Sequence, residues 1–209
     1  MTTWDERFRS GEYPRDPAPS PLLERYVEAL EPGRALDVAT GTGRNAVYLA
    51  ERGYTVDAVD RSREGLRITR DRARERGVAD RLNPVQADVS TYAFPREAYD
   101  LVTVSFYRAV DRLPDVTDAL APGGVLFYEH HLRSTDAYET GPRGDRFRFG
   151  ANELLRACLH LTVLAFDATT ETRPDGREAT LTRIVARNSS GHAQSYPDAG
   201  LGARRGGDE

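Results

Sequence analysis

A short apolar run, Ala35-Leu36-Asp37-Val38-Ala39, meets a glycine turn, Thr40-Gly41-Thr42-Gly43, and passes at once into Asn45-Ala46-Val47-Tyr48-Leu49-Ala50-Glu51-Arg52. The first run has the length of a buried strand; the last has helical spacing and stops at Gly53. Gly41 and Gly43 lack a Cβ, so the backbone can turn sharply and admit a ligand closely, and the following helix offers its unpaired N–H groups. A second strand, Thr55-Val56-Asp57-Ala58-Val59, ends at Asp60, an acid placed to take both hydroxyls of a ribose. Strand, tight turn, helix, strand and acid in this order favour a nucleoside site over a tight βα turn with no ligand.

The unit repeats along the chain. Ser62 can cap a charged helix running to Arg76 before Gly77. Further strands are expected at Leu82 to Ala87, Asp100 to Phe106 and Val125 to Glu129, with a helix near Val110 to Leu120 ended by Pro122-Gly123-Gly124. Upstream, Gly11 to Pro21 is proline-rich and extended, and Ser20-Pro21 reads as an N-cap opening a helix to Leu30. Strands alternating with helices imply a mostly parallel, doubly wound α/β sheet. The last third differs: a helix from Asn152 to Leu159, a strand through Leu161 to Phe166, a turn at Pro174-Asp175-Gly176, and an alternating strand Thr180 to Ala186. So short a link makes these two strands antiparallel. From Asn188 onward the composition is that of a disordered tail.

Composition narrows the chemistry. All 29 basic residues are arginine, so no P-loop lysine, no Schiff-base lysine and no Tyr-x-x-x-Lys pair exists. A net charge of -4 gives no electrostatic reason to expect nucleic acid. The single cysteine, Cys158, cannot form an internal disulfide and reads as a core residue. No uncharged stretch is long enough to cross a bilayer, and the N-terminus lacks the apolar run of a signal peptide, so a cytoplasmic protein without a membrane partner is expected.

The glycine turn also satisfies Gly-x-Gly-x-x-Ala, so an NAD(P)-binding oxidoreductase is a competing reading. Three features oppose it. Asp37, inside the strand before the turn, can accept from a cationic ligand group such as the amino group of methionine but would repel a pyrophosphate. Gln86-Ala87-Asp88-Val89 puts another acid at the end of the third strand, where a carboxylate could accept from the exocyclic amine of adenine. The C-terminal antiparallel pair leaves no second domain for a hydride acceptor. A catalytically silent cofactor-binding module stands as a third reading.

On these residues the chain resembles the class I S-adenosylmethionine-dependent methyltransferases, over roughly residues 20 to 187. Leu36-Asp37-Val38-Ala39-Thr40-Gly41-Thr42-Gly43 corresponds to the first family motif and Val59-Asp60 to the second. Ala87-Asp88-Val89 corresponds to the third and Tyr99-Asp100-Leu101-Val102-Thr103-Val104 to the fourth, while Leu120-Ala121-Pro122-Gly123-Gly124 resembles the turn before strand five. The resemblance implies a seven-stranded Rossmann-like sheet with an antiparallel C-terminal strand. It implies that Asp37 and the Gly41 to Gly43 turn hold the methionine end of S-adenosylmethionine, Asp60 the ribose, and Asp88 with the Val89 amide the adenine. Ser105 and Phe106 would border the sulfonium, and Ala39, Arg44, Asn45 and Arg61 complete the cofactor set, with S-adenosylhomocysteine as product. The sequence departs from the commonest first motif at Ala39, where many members carry a glycine. On this reading residues 1–187 form the methyltransferase domain and 188–209 the tail.

Trp4-Asp5-Glu6-Arg7-Phe8 with Gly11 and Tyr13, together with Gly43-Arg44-Asn45-Ala46, is similar to the tellurite-resistance and thiopurine type of small-molecule methyltransferases, which use the N-terminal segment as a lid. By that likeness residues 1–19 would close over the cofactor through Trp4, Arg7 and Tyr13; docking of an aromatic terminus on the core is the alternative. Methyl transfer from a sulfonium is an in-line displacement that needs alignment and desolvation more than a strong base. Tyr107 and Arg108 after strand four, and Glu129, His130 and His131 after strand five, lie where ligands bind in open α/β sheets and are the candidate contacts of a small-molecule substrate. Adjacent His130 and His131 would point to opposite sides of a strand, so no metal site is expected. Arg143, Arg146 and Arg148 read as a solvated face that could also guide an anionic substrate. A monomer or weak homodimer is expected.

Overall fold

The computed structural model describes residues 3–135, 140–172, 176–189 and 193–196. Helix α1 spans Trp4–Arg9, a segment read from sequence only as a candidate lid. Its cause is local: Thr3 Oγ1 accepts from the Glu6 amide at 3.2 Å while the Glu6 carboxylate accepts from the Thr3 amide at 2.7 Å. This reciprocal capping satisfies two of the N–H groups that a helix start leaves unpaired.

Helix α2 (Pro21–Val27) has Ser20 at its N-cap and proline in its first turn, and closes three residues before Leu30. Strand β1 (Arg34–Val38) leads through the glycine turn to α3 (Arg44–Glu51), whose N-cap is Gly43 at φ 77°. Strand β2 (Thr55–Asp60) leads to α4 (Arg63–Glu75), where the Ser62 hydroxyl accepts from the Gly65 amide. Strands β3 (Leu82–Gln86) and β4 (Tyr99–Ser105) follow. The stretch expected as one helix, 110–120, is a 3-10 turn at Val110–Arg112 followed by α5 (Leu113–Asp118).

Strand β5 runs from Leu120 to His131, more than twice the expected length. Pro122-Gly123-Gly124 is a bulge inside it: pairing with β4 jumps from Tyr99↔Leu120 to Leu101↔Val125, and Asn188 pins the bulge through bonds with Gly123 and Gly124. A tertiary partner thus keeps in the sheet a sequence that by itself signals a turn. Helix α6 covers only Glu153–Ala157, and β6 (Thr162–Thr172) and β7 (Glu178–Arg187) close the fold. Of the expected turn, Pro174 and Asp175 lie outside the described residues.

The seven strands are ordered β3-β2-β1-β4-β5-β7-β6. All neighbours are parallel except β7, which runs against both β5 and β6. Alternation along the strands creates two cores. One, with Leu36, Val102, Leu126, Tyr128 and Phe149, lies on the α5–α6 side. The other, with Ala35, Leu49, Leu101, Phe127 and Val185, lies under α2 and α3. Fully burying a Leu, Val or Phe side chain contributes about 1.5–3 kcal/mol, so these layers carry most of the stabilisation. Of the segment read as a tail, Asn188, Ser189 and Gln194 are tied to the bulge and to Thr162, while 190–192 and 197–209 lie outside the described residues.

Candidate functional site

The sheet order places β1 beside β4, so the chain crosses from one side of β1 to the other between β3 and β4. Crevices at such switch points, outside the carboxyl ends of the strands, are where open α/β sheets bind ligands. Asp37, Asp60, Thr103, Ser105 and Glu129 share strand parity with the α3-side core, so their side chains stand on one face.

Asp37 is buried and its carboxylate already holds three donors: Thr40 Oγ1 and Thr103 Oγ1, each at 2.6 Å, and the Ala46 amide at 3.1 Å. Helix α3 has no side-chain cap of its own, and Asp37 supplies one from the neighbouring strand. Burial pushes its carboxyl up to about 6, against the lowering effect of these bonds. Asp37, expected from sequence to accept from a ligand amino group, also organises the turn from within.

The turn itself needs left-handed backbone at Ala39, Gly41 and Gly43, with φ of 56°, 57° and 77°. Ala39 adopts without glycine a conformation that L-residues disfavour. Asp60 is buried at 7% exposure and accepts from the Gly41 amide at 2.8 Å and the Ser62 amide at 2.7 Å. One carboxylate therefore fixes both the glycine turn and the start of α4, and retains lone pairs for further donors. Burial raises its pKa. Asp88 is exposed, accepts from the amide and hydroxyl of Ser90, and is held below the usual carboxylate range by the hydroxyl above all. Val89 is buried beside it and Arg61 is exposed.

Arg44 and Asn45, expected from sequence as cofactor contacts, bond to the leading segment and to the sheet. Arg44 donates through Nε to Ala18 O and through Nη2 to Pro19 O, and its Nη1 stands 3.3 Å from Glu129. The Asn45 carbonyl accepts from the Ser20 amide at 3.1 Å, and its Nδ2 donates to Ser105 Oγ at 2.9 Å. The pair straps the proline-rich leading segment to the sheet.

The residues proposed from sequence to meet a substrate separate. Glu129 and His130 lie within β5, not after it, and each is 2% exposed. His130 faces the α6 side against Phe149, and burial drives its imidazole down to about 4, so it is neutral at physiological pH. The His131 ring lies tilted against Phe106, whose φ of 57° turns the chain out of β4. Arg108 is paired with Glu153 of α6, and Tyr107, half-buried, accepts through its carbonyl from Tyr128. Arg148, in the loop expected to be solvated, is buried and donates to the carbonyls of Pro142, Leu132 and Thr140.

Sequence reasoning gave no part to Arg183. On β7 it meets Glu129 at 3.6 Å, Asp167 at 3.5 Å and Glu171 at 2.5 Å. No run of residues announces this cluster, because sheet order alone brings β5, β6 and β7 together. At the other end, Trp4, Phe8 and Tyr13 form an aromatic cluster with the Arg7 guanidinium over Trp4. Phe8 is buried over Gly41 and Gly65, where a Cβ would approach its ring, and Asp5 accepts from Ser62 Oγ and the Glu64 amide. Among the described residues no cluster of ligands suited to a metal occurs, and no helix is long and apolar enough to cross a membrane.

Comparison with known proteins agrees with this geometry. Residues 35–124 match a family model described as a methyltransferase domain. A ubiquinone/menaquinone biosynthesis C-methyltransferase UbiE from Azotobacter vinelandii is 35% identical over 113 residues, half of this chain and 44% of that protein. A demethylmenaquinone methyltransferase from Thermus thermophilus is 38% identical over 102 residues, 46% of each chain. The chain thus spans a little under half the length of these curated relatives. Among solved structures, TehB from Haemophilus influenzae superposes with a TM-score of 0.71 at 18% identity, over 88% of this chain and 66% of that one. The [4+2]-cyclase SpnF superposes with a TM-score of 0.63 at 20% identity, over 80% of this chain and 78% of that one. Motif order and sheet order agree with the matched stretch: over residues 35–124 the chain is similar to a methyltransferase domain.

Proposed function

We propose that this protein binds S-adenosylmethionine across the switch point between β1 and β4 and transfers its methyl group to a small-molecule nucleophile. The observation that carries the reading is the convergence at one crevice of the left-handed turn 39–43, the buried acid Asp60 and the β4 hydroxyl Ser105. Asp60 receives the ribose hydroxyls on its remaining lone pairs, Asp88 and the Val89 amide receive adenine, and Gly41 to Gly43 let the methionine end approach the backbone. Asp37 acts from behind by fixing that turn. Residues 1–187 are the working unit, with 1–19 as the lid: Phe8 already seals the outer side of Gly41, and a sealed site excludes water from the displacement.

Relatives named for ubiquinone and menaquinone methylation make an aromatic carbon the first acceptor to screen, ahead of thiols, chalcogens and amines. A fold shared with a cyclase shows that sheet order alone does not fix the reaction. Calorimetric titration with S-adenosylmethionine, S-adenosylhomocysteine, NAD and NADP tests the assignment. Micromolar binding of the first two only is the expected result. Binding of a nicotinamide alone would replace it with an oxidoreductase, and cofactor binding without turnover across the acceptor screen would leave a silent binding module.

A further inference from the structure

Four residues stand in one register row across the sheet: Ser105 of β4 opposite Glu129 of β5, Glu129 opposite Arg183 of β7, and Arg183 opposite Asp167 of β6. The hydrogen atoms in the first part of this row are fixed by geometry. The Ser20 amide donates to the Asn45 carbonyl oxygen, which sets the orientation of the Asn45 amide and aims its NH2 at β4. Ser105 Oγ therefore accepts from Asn45 and commits its own hydrogen to Glu129 Oε1 at 3.0 Å. Thr103, one step along the same strand face, likewise spends its hydrogen on Asp37. Thr103 is buried, so Ser105 is the β4 hydroxyl that presents only oxygen lone pairs at the crevice.

Of the two guanidiniums beside Glu129, Arg183 also has Asp167 and Glu171, whereas Arg44 depends on Glu129. Among the described residues its carboxylate is the sole ion-pair partner of Arg44 and one of three around Arg183, and it is buried, too deep to meet a substrate. We propose that Glu129 is a positioning residue that makes the site select the sulfonium of S-adenosylmethionine over the neutral thioether of S-adenosylhomocysteine. It does so by orienting the Ser105 hydroxyl with its oxygen toward the sulfur and by neutralising the Arg44 guanidinium, which would otherwise repel the positive charge. The two ligands differ by one methyl cation, so this selectivity speeds exchange of spent product for fresh cofactor. The inference rests on the cofactor assignment above and deepens it.

The test is the ratio of the two affinities, measured by calorimetry on wild type, Glu129→Gln and Ser105→Ala, with thermal unfolding as the control for folding. Glu129→Gln removes the negative charge and lets the new amide donate to Ser105, reversing the hydroxyl. The preference for S-adenosylmethionine should fall about tenfold, chiefly through weaker binding of the sulfonium. Ser105→Ala removes the oxygen but no charge and should lower the ratio about threefold, leaving the affinity for S-adenosylhomocysteine within about twofold. A merely structural role would weaken both ligands together, so an unchanged ratio in folded Glu129→Gln overturns the inference. Should that variant not fold, an unchanged ratio in Ser105→Ala overturns it alone. If wild type binds neither ligand, the cofactor assignment itself fails and takes this inference with it.

Discussion

The two halves of the sheet solve the burial of polar groups differently. In the half built from β1, β2 and β3, the buried carboxylates Asp37 and Asp60 are held by neutral donors: hydroxyls and backbone amides of the glycine turn and of the starts of α3 and α4. In the half built from β5, β7 and β6, Glu129 is held by guanidiniums in a ladder that reaches the edge strand. Neutral donors fix shape while leaving a carboxylate its charge and spare lone pairs for a ligand. Guanidiniums consume the charge, so that half offers a ligand orientation and packing. The contrast separates a region whose buried acids keep lone pairs to spare, the proposed cofactor side, from one whose charges hold its own strands together.

Breaking the ladder should produce the largest change. Arg183→Met leaves Asp167 and Glu171 around one vacated position and Glu129 with Arg44 alone, and should cost about 3 kcal/mol, read as a lower urea midpoint. A loss below about 1 kcal/mol would mean that apolar packing, not the ladder, holds β7 in place.

Acidity then distinguishes a neutral buried base from a neutral-donor acid. His130 is held at about 4 against an ordinary 6.5. As pH falls between those values the unfolded chain takes up a proton that the folded protein refuses, so stability is lost by up to about 3 kcal/mol. Asp37 works in the opposite sense. With its pKa raised from 3.8 to about 6, the folded state keeps a proton that the unfolded chain has released, so its contribution declines as pH rises through that window. His130→Gln should therefore flatten the fall of Tm between pH 6.5 and 4, and Asp37→Asn should steepen it. Parallel profiles for all three proteins would contradict both shifts.

On the cofactor side, Asp60→Asn should weaken binding of S-adenosylhomocysteine about 30-fold by calorimetry, the effect of losing charge-assisted bonds to hydroxyls. Unchanged affinity would remove Asp60 from the ribose. A Cβ at Gly65 would lie 2.7 Å from the Gly41 carbonyl and 3.2 Å from the Phe8 ring. Gly65→Ala should accordingly cost about 1–2 kcal/mol and loosen the cofactor, whereas loss of stability alone would detach Phe8 from the site. The smallest effect belongs to Ala39→Gly. Relief of the left-handed strain should offset the entropy of glycine, leaving stability within about 0.5 kcal/mol of wild type by denaturant titration. A loss of 1 kcal/mol would show that Ala39 contributes packing as well.

The same divide governs what the sequence reveals. Asp37, the Gly41 to Gly43 turn, Asp60 and the Ser62 cap are separated by fewer than thirty positions, and apart from the bond of Asp37 to Thr103 each acts within that stretch, so spacing discloses them. Helix α1 carried a readable signal, Thr3-x-x-Glu6, hidden by the absence of an apolar run behind it. The far half is not legible in that way. The bulge at 122–124 stays in the sheet because Asn188, sixty-odd residues later, bonds to it. Arg183 could have met any acid on its face, and only the order β5-β7-β6 selects Glu129, Asp167 and Glu171. Arg44 and Asn45 look like ligand groups next to a glycine turn, yet their partners Ala18, Pro19 and Ser20 belong to a segment whose path no local pattern dictates.

Because β7 is threaded between β5 and β6, its two neighbours cannot meet without it. During synthesis the first five strands are complete by residue 131, whereas the strand that covers the open side of β5 ends only at Arg187. For that interval the ribosome carries a nascent sheet with an uncovered hydrogen-bonding margin along Val125 to His131, the part of the molecule most prone to pair with another copy.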